Sequence, residues 1–488
     1  MLFIVTPALS FAEGTDPSGT KTGTIADVPA VKPGEPTLAE LGDAVGHSRI
    51  AINFVWTLIA GFLVMFMQAG FAMVETGFTR AKNVAHTMGM NFLVYAIGML
   101  GFWICGFAVM FGGVGAVGML GGTPGLTGEF TITLFGKVFG IFGTNGFFLG
   151  NSVYDVGVFT LFLFQMVFMD TTATIPTGSM AERWKFSSFI AFAFFISMVV
   201  YPLFGNWVWG GGWLAMLGQN FGLGHGHVDF AGSSVVHLVG GVSALAGAIV
   251  LGPRIGKYNK DGTSNAIPGH NLPMAIIGTF ILAFGWFGFN AGSSLAGNDL
   301  RISVAAVNTM LASAAGAFSA TIYMWIRYKK PDPSMMANGM LAGLVAITAP
   351  CAFVTAPSAV LIGAISGILV IIAVFFIDQK LHIDDPVGAV AVHGVNGAWG
   401  VIALGLFADG TYGDGWNGVA GTVKGLFYGD ATQLFAQLIG TVTCIIFVFP
   451  VMFGFFKLTN ILIGNRVSAK DEVDGLDIPE MGIKGYES

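Results

Sequence analysis

Run after run of about twenty apolar residues fills this chain, and that feature restricts its fold more than any other. A bilayer's hydrocarbon core is about 30 Å thick, and an α-helix rises about 1.5 Å per residue, so about 20 apolar residues are needed to cross it. Eleven segments meet that measure: 50–74, 90–112, 157–178, 186–206, 231–252, 271–292, 302–326, 336–353, 357–378, 389–407 and 432–456. No water is available there to satisfy backbone amides, so the segments are expected as helices. The class is therefore an all-α polytopic membrane protein. Charged residues make up 10% of the chain, against about 25% in soluble domains. The 72 glycines suit helices that pack closely in a membrane. A net charge of -6 gives no basic footprint for nucleic acid. Cys105, Cys351 and Cys444 lie in apolar runs without metal-ligand spacing, so neither a disulfide framework nor a metal site is expected.

Residues 1–12 read as the remnant of a signal peptide, with a small-x-small pattern at Ser10-Phe11-Ala12. Residues 13–48 read as a polar, exposed lead-in. The membrane domain is assigned to 50–456 and a cytoplasmic tail to 457–488. The Gly-rich stretch 113–156 reads as a long exported loop with some helix. Basic residues set the orientation. With the N-terminus outside, only Lys21, Lys32, Arg49, Lys137, Arg301 and Lys424 of the 21 basic residues lie outside. Eleven spans, N-out and C-in, follow.

Two of the eight histidines fall inside spans. His237 lies in 229-DFAGSSVVHLVGG-241 and His393 in 385-DPVGAVAVHGVNG-397. Each has an Asp eight residues before it and a Gly four residues after it. One is in the fifth span and the other in the tenth, which predicts two five-span repeats followed by one C-terminal helix. Five is odd, so the repeats are inverted, an arrangement typical of transporters. Burial opposes imidazolium, and two neutral imidazoles at a repeat interface can ligate a haem iron or another metal, or line a path for a small N–H solute. Trp209, Phe168, Phe289 and Ser293 fall near the outer ends of their spans. Aromatic faces there can hold a cation with about 0.5–2 kcal/mol each, or simply form the interfacial belt.

Several segments together resemble the Amt/Rh ammonium transporter family, on its Amt side. They are 164-FQMVF-168, 180-MAERWKFSS-188, 208-VWGGGW-213, 229-DFAGSSVVH-237, 285-GWFGFNAGS-293 and 384-DDPVGAVAVHGVNG-397, with the tail 474-DGLDIPEMGIKGYE-487. The resemblance implies a homotrimer of eleven-helix protomers in the cytoplasmic (inner) membrane, each protomer with its own pore, and no cofactor or enzymatic activity. It matches Trp209, Ser293 and Phe168 to an external ammonium recruitment site. Phe168 and Phe289 match the phenyl gate, and His237 and His393 the twin pore histidines. Asp229 matches a carboxylate that supports the recruitment site, and Gln165 lies in the matching Phe-Gln segment. It also implies ammonium, with methylammonium as an analogue, and a PII-type regulatory protein at the cytoplasmic face.

Three positions depart from that pattern. Gly388 stands where many relatives carry an acid. Asp170 and Glu75 place carboxyls inside the third and first spans, where an isolated charge is costly. Asp170 is expected to bond neighbouring Thr hydroxyls or to join a proton path. Two other functions compete with transport. A redox protein would use His237 and His393 as axial haem ligands, and an ammonium sensor would bind but barely conduct. The tail is too short for a fused signalling domain.

Overall fold

A computed structural model describes residues 23–150 and 153–486. The signal-peptide reading of 1–12 falls outside them. Among the described residues, ten helices are long and apolar enough to cross a membrane, and one apolar helix is shorter. In chain order they are α1 (Leu38–Phe78), α2 (Ala81–Phe111), α3 (Val156–Met180), α4 (Phe186–Val208), α5 (Ser233–Leu251), α6 (Leu272–Ser294), α7 (Ile302–Tyr328), the shorter α8 (Pro333–Ile347), α9 (Ala356–Gln379), α10 (Val390–Phe407) and α11 (Ala431–Leu462). Ten of the expected segments thus coincide with membrane-length helices.

Two boundaries differ from expectation for clear reasons. The first helix begins at Leu38, inside the supposed lead-in. Thr37 and Glu40 form a reciprocal cap there, with Glu40 N–H donating to the Thr37 hydroxyl and Thr37 N–H to the Glu40 carboxylate. The segment expected at 336–353 is helical only as Pro333–Ile347, 15 residues or about 22 Å. Residues 348–354 continue as turns and are fully buried. Irregular backbone is tolerated at membrane depth where protein surrounds it.

Among the described residues of the loop, 113–150 and 153–155, helix is limited to short 3₁₀ turns. The loop holds an antiparallel hairpin of β1 (Glu129–Leu134) and β2 (Lys137–Gly143). Phe135 and Gly136 both have positive φ, +54° and +72°, the backbone of a type I′ turn that matches strand twist. The hairpin is tied to the end of α4. Gly140 C=O accepts from Trp213 N–H at 3.0 Å, and Ile141 C=O accepts from the Trp207 indole at 2.9 Å. Glu129, beside it, accepts from Asn206 at 3.2 Å, and burial pushes its pKa up to about 7.

In the core, α3 and α5 are almost wholly buried, while the outer faces of α1, α6, α7 and α11 expose Phe, Ile and Leu. α1 packs along α6, α3 lies between α1 and α5, and α5 meets the start of α10.

The loops expected on the inner side gather on one face. Arg254 donates to Asp384 at 2.8 and 2.9 Å and lies 3.3 Å from Glu182, which also pairs with Arg80. Glu182, Asp384 and Arg254 are at most 4% exposed. Burial alone would raise Asp384, but Arg183 and Arg254 hold it well below the usual carboxylate range. The tail folds back over this face through two short helices, α12 (Ala469–Asp474) and α13 (Asp477–Met481). Its Asp477 accepts from His86 N–H, Glu480 from Phe186 N–H, and Tyr486 meets His270 at 2.9 Å. All three cysteines are free thiols.

Two outcomes follow. Arg254→Met leaves Asp384 buried without its ion-pair partner and should cost about 3–5 kcal/mol, read as a lower thermal midpoint in detergent. Glu129 takes up its proton more readily folded than unfolded. Its stabilising contribution is therefore complete below its ordinary 4.5 and lost as pH rises through about 7. Glu129→Gln should melt with the parent below pH 4.5 and above it in temperature past pH 7. Parallel melting curves at every pH would contradict this.

Candidate functional site

The two histidine-bearing helices begin in the same way. α5 opens with a π-helical turn, Ser233–Leu238, and α10 with another, Val390–Val395. Each is capped by the Asp eight residues before its histidine. Asp229 accepts from the N–H groups of Gly232, Ser233, Ser234 and Val235 at 2.7–3.0 Å, and from the Ser234 hydroxyl at 2.7 Å. Asp385 accepts from Ala389 and Val390 at 3.1 and 2.7 Å. A carboxylate is well suited to the unpaired amides of a helix start.

The glycines of the repeat allow these helices to cross closely. A Cβ at Gly241 would sit 2.1 Å from Gly394 N, and one at Gly397 would sit 2.6 Å from Ser233 C=O. This crossing brings the imidazoles together, with His393 Nδ1 3.2 Å from His237 Nδ1. One ring must donate and the other accept, so at least one is neutral. His237 Nε2 is buried with no partner.

Rings continue from this pair toward the end expected to face outward. His237 stacks on Phe289 at 5.4 Å between centroids, and Phe289 lies 4.2 Å from Phe168. Phe168 meets Trp209 edge-on at 6.1 Å. Phe168 and Phe289 are fully buried and separate the histidines from a cavity of about 190 Å3. Gln165, Phe168, Trp209 and Ser293 all line that cavity. Ser293 donates its proton to Phe289 C=O at 2.7 Å, so its oxygen lone pairs remain to accept. Gln165 Oε1 is buried without a partner, a second free acceptor. The Trp209 indole donates to the main-chain carbonyl of Asp229 at 2.6 Å. Aromatic faces with two acceptor oxygens suit a small cation that can donate hydrogen bonds.

The structure brings the sequence-based set together: six residues at or beside this cavity and the Phe168–Phe289 pair, and two histidines beyond that pair. Three contributors were missed. Phe164 and Trp416 also line the cavity, and Trp416 comes from the distant loop before α11. His227 sits behind Asp229, with Nε2 2.9 Å from the Ser234 hydroxyl. Because that hydroxyl gives its proton to Asp229, His227 is the donor. Burial, opposed in part by Asp229, holds its pKa below the usual imidazole range. The doubled spacing in 225-HGHVD-229 was the only signal in the sequence.

Asp170 and Glu75 differ from the expectation and from each other. Asp170 does not bond its neighbouring threonines, because Thr171 and Thr172 donate back to the carbonyls of Val167 and Phe168. Asp170 Oδ1 is left buried without a partner. Glu75 is well held, by Asn91 and Thr177. Gly388 has φ +80°, a backbone that L side chains rarely adopt, and its Cβ position lies 3.1 Å from Asn338 Nδ2. Asn338 thus stands beside Gly388, with its amide toward the place a side chain there would occupy. Among the described residues no cluster of His, Cys, Asp or Glu could hold a metal ion.

The profile of the Ammonium Transporter Family matches residues 55–486. An ammonium transporter of Archaeoglobus fulgidus is 47% identical over 442 residues, covering 90% of this chain and 89% of that one. An ammonium transporter of Bacillus subtilis is 34% identical over 435 residues, covering 89% and 98%. A solved structure named as a Sensor Amt Protein superposes with a TM-score of 0.77 at 38% identity, covering 89% of this chain and 99% of that one.

One test concerns the cap behind the outer cavity. Asp229→Ala strips four amides of their acceptor and should cost about 2–4 kcal/mol. The variant is expected to melt earlier, with a shifted tryptophan emission as the Trp209 loop loosens; an unaltered melt and spectrum would remove Asp229 from this role.

Proposed function

Because the chain belongs to the ammonium transporter family, we propose that it carries ammonium across the cytoplasmic membrane, with recruitment of the ion outside and passage of ammonia along the histidines. The observation that carries this reading is the continuous file of side chains from the outer cavity through Phe168 and Phe289 to His237 and His393.

Each step has a physical reason. Trp209 and Phe168 bind the cation by their faces, and Ser293 and Gln165 accept from its N–H groups. Asp229 supports the site from behind. Whole ammonium entering the apolar lumen would lose its hydration at a cost of several kcal/mol. Losing one proton converts that cost to the transfer of a small neutral amine. Phe168 and Phe289 exclude water until they part, and the imidazoles then offer both an acceptor and a donor. Potassium cannot give up a proton and is rejected.

The protomer is an inverted five-plus-five repeat with an eleventh helix, N-out and C-in. The paired Asp-capped π-turns of α5 and α10 support the repeat, and the buried turns after α8 support counting it as a crossing. The assembly is a homotrimer, and a PII-type protein is its regulator at the cytoplasmic face. The likeness to a Sensor Amt Protein favours one second reading, binding with little conduction.

Reconstituted protein should give ammonium-evoked current on a solid-supported membrane and uptake of methylammonium into liposomes. Binding without either signal would favour the sensor. His237→Ala and His393→Ala should each lower ammonium flux by about tenfold or more or admit potassium. Trp209→Leu should raise the half-saturating concentration by about threefold to tenfold, at the scale of one cation–π contact. Unchanged flux with potassium still excluded, in both histidine variants, would sink the mechanism.

A further inference from the structure

On the inner side of His393 lies a cavity of about 20 Å3, lined by His393, Phe71, Glu75, Asn338 and Val387 among others. That volume holds one water. Glu75 is thus the carboxyl that shares a one-water space with His393, the inner member of the histidine pair.

Its surroundings serve it in both protonation states. Asn91 Nδ2 donates to Glu75 Oε2 at 2.7 Å, and the Asn91 carboxamide cannot turn over, because its oxygen accepts from Thr174 at 3.0 Å. Thr177 Oγ1 lies 2.9 and 2.8 Å from the two Glu75 oxygens and also contacts Thr174 C=O. A hydroxyl has one proton. Given to Glu75, it stabilises the carboxylate. Given to Thr174 C=O, it leaves a lone pair facing Glu75, which then accepts from the protonated acid. No lysine or arginine bonds Glu75 among the described residues, so no fixed cation pins it in one state.

The way onward is also present. Asn338 and Val387 line both this cavity and a vestibule of about 350 Å3 on the face where the tail folds back. Asp385 lines the vestibule, and burial pushes its pKa up to about 6, so it exchanges protons near neutral pH.

Resting on the ammonium reading above, we propose that Glu75 receives, through the single water, the proton that ammonium leaves on the histidine pair, and passes it to the vestibule at Asp385. The balance is simple. One N–H bond of ammonium breaks, its electron pair stays on nitrogen, and ammonia remains. The proton adds to His393 Nε2, which is bare when His393 Nδ1–H donates to His237 Nδ1, and leaves from that same nitrogen to the water once ammonia has moved on. The water gives one proton to the Glu75 carboxylate, and Glu75 releases it to vestibule water. Both imidazoles end in the tautomer in which they began. Ammonia and proton arrive together, so one positive charge crosses per ammonium.

The test compares charge with amine. Current and radiolabelled methylammonium uptake are measured on the same proteoliposomes for the parent, Glu75→Gln, Glu75→Asp and Thr177→Val. Glu75→Gln should lower the current-to-uptake ratio by about tenfold or more, Glu75→Asp should restore most of it, and Thr177→Val should lower it by about threefold. A monodisperse Glu75→Gln protein with the parent's ratio overturns the proposal, as does a Thr177→Val protein with that ratio if Glu75→Gln fails to fold. A parent protein with neither current nor uptake overturns the ammonium reading itself, which separates the two failures.

Discussion

The close crossing of α5 and α10 at Gly241 and Gly394 is the contact on which the histidine pair, and with it the proposed pore, depends. A methyl group at Gly241 would meet the Gly394 backbone and separate the helices, and with them two imidazoles now 3.2 Å apart. The shared hydrogen bond has a price: each helix gives up regular α geometry for a π-helical turn where its histidine sits. The carboxylates of Asp229 and Asp385 stabilise those starts by taking up amides that no carbonyl serves. The outer cap also fixes Trp209 through its own carbonyl, so one residue sets both the helix and the entrance aromatic. The histidine pair, the two helix starts and Trp209 are in this way one mechanical unit.

The polar groups of the interior divide into two kinds. Some are fully satisfied, as Asp229 is, and hold geometry. Others are left with unused capacity: the Gln165 oxygen, His237 Nε2 and Asp170 Oδ1. In a medium that charges heavily for an unpaired polar atom, unused capacity along a path is where a polar solute is served. Asp170 has the same unused capacity away from that path, and nothing in the structure explains it.

Much of this was legible in the sequence because bilayer thickness fixes helix length and because hydrophobic runs report it directly. Ten span positions and the doubled Asp-x7-His pattern needed only counting. The start of α1 was legible too, in Thr37-x-x-Glu40, but the polar composition around it outweighed the capping signal. The hairpin in 113–156 was not legible, since its Gly and Phe content suits several structures and only the Phe135-Gly136 turn chooses one. Trp416 was beyond reach, because a cavity wall supplied by a loop over 100 residues from its neighbours leaves no local pattern. Glu75 showed only as a carboxyl in an apolar run. Its meaning lies in Asn91, Thr177 and a void the size of a water molecule, none of which spacing can reveal.

The ion-pair lattice of Arg80, Glu182, Arg254 and Asp384 joins the end of α3 to the approach to α10. It acts as a keystone across the inner rim, and the folded tail braces it from outside through Glu472, which pairs with Arg466 and accepts from Ile255 N–H. A rim locked in this way resists the rocking of one half against the other. On the proposed mechanism, what is left to move is small: two phenyl rings and a few protons. The temperature dependence of transport should then resemble that of side-chain rotation, with the protein behaving more like a sieve with a swinging pin than like a pump with a hinge.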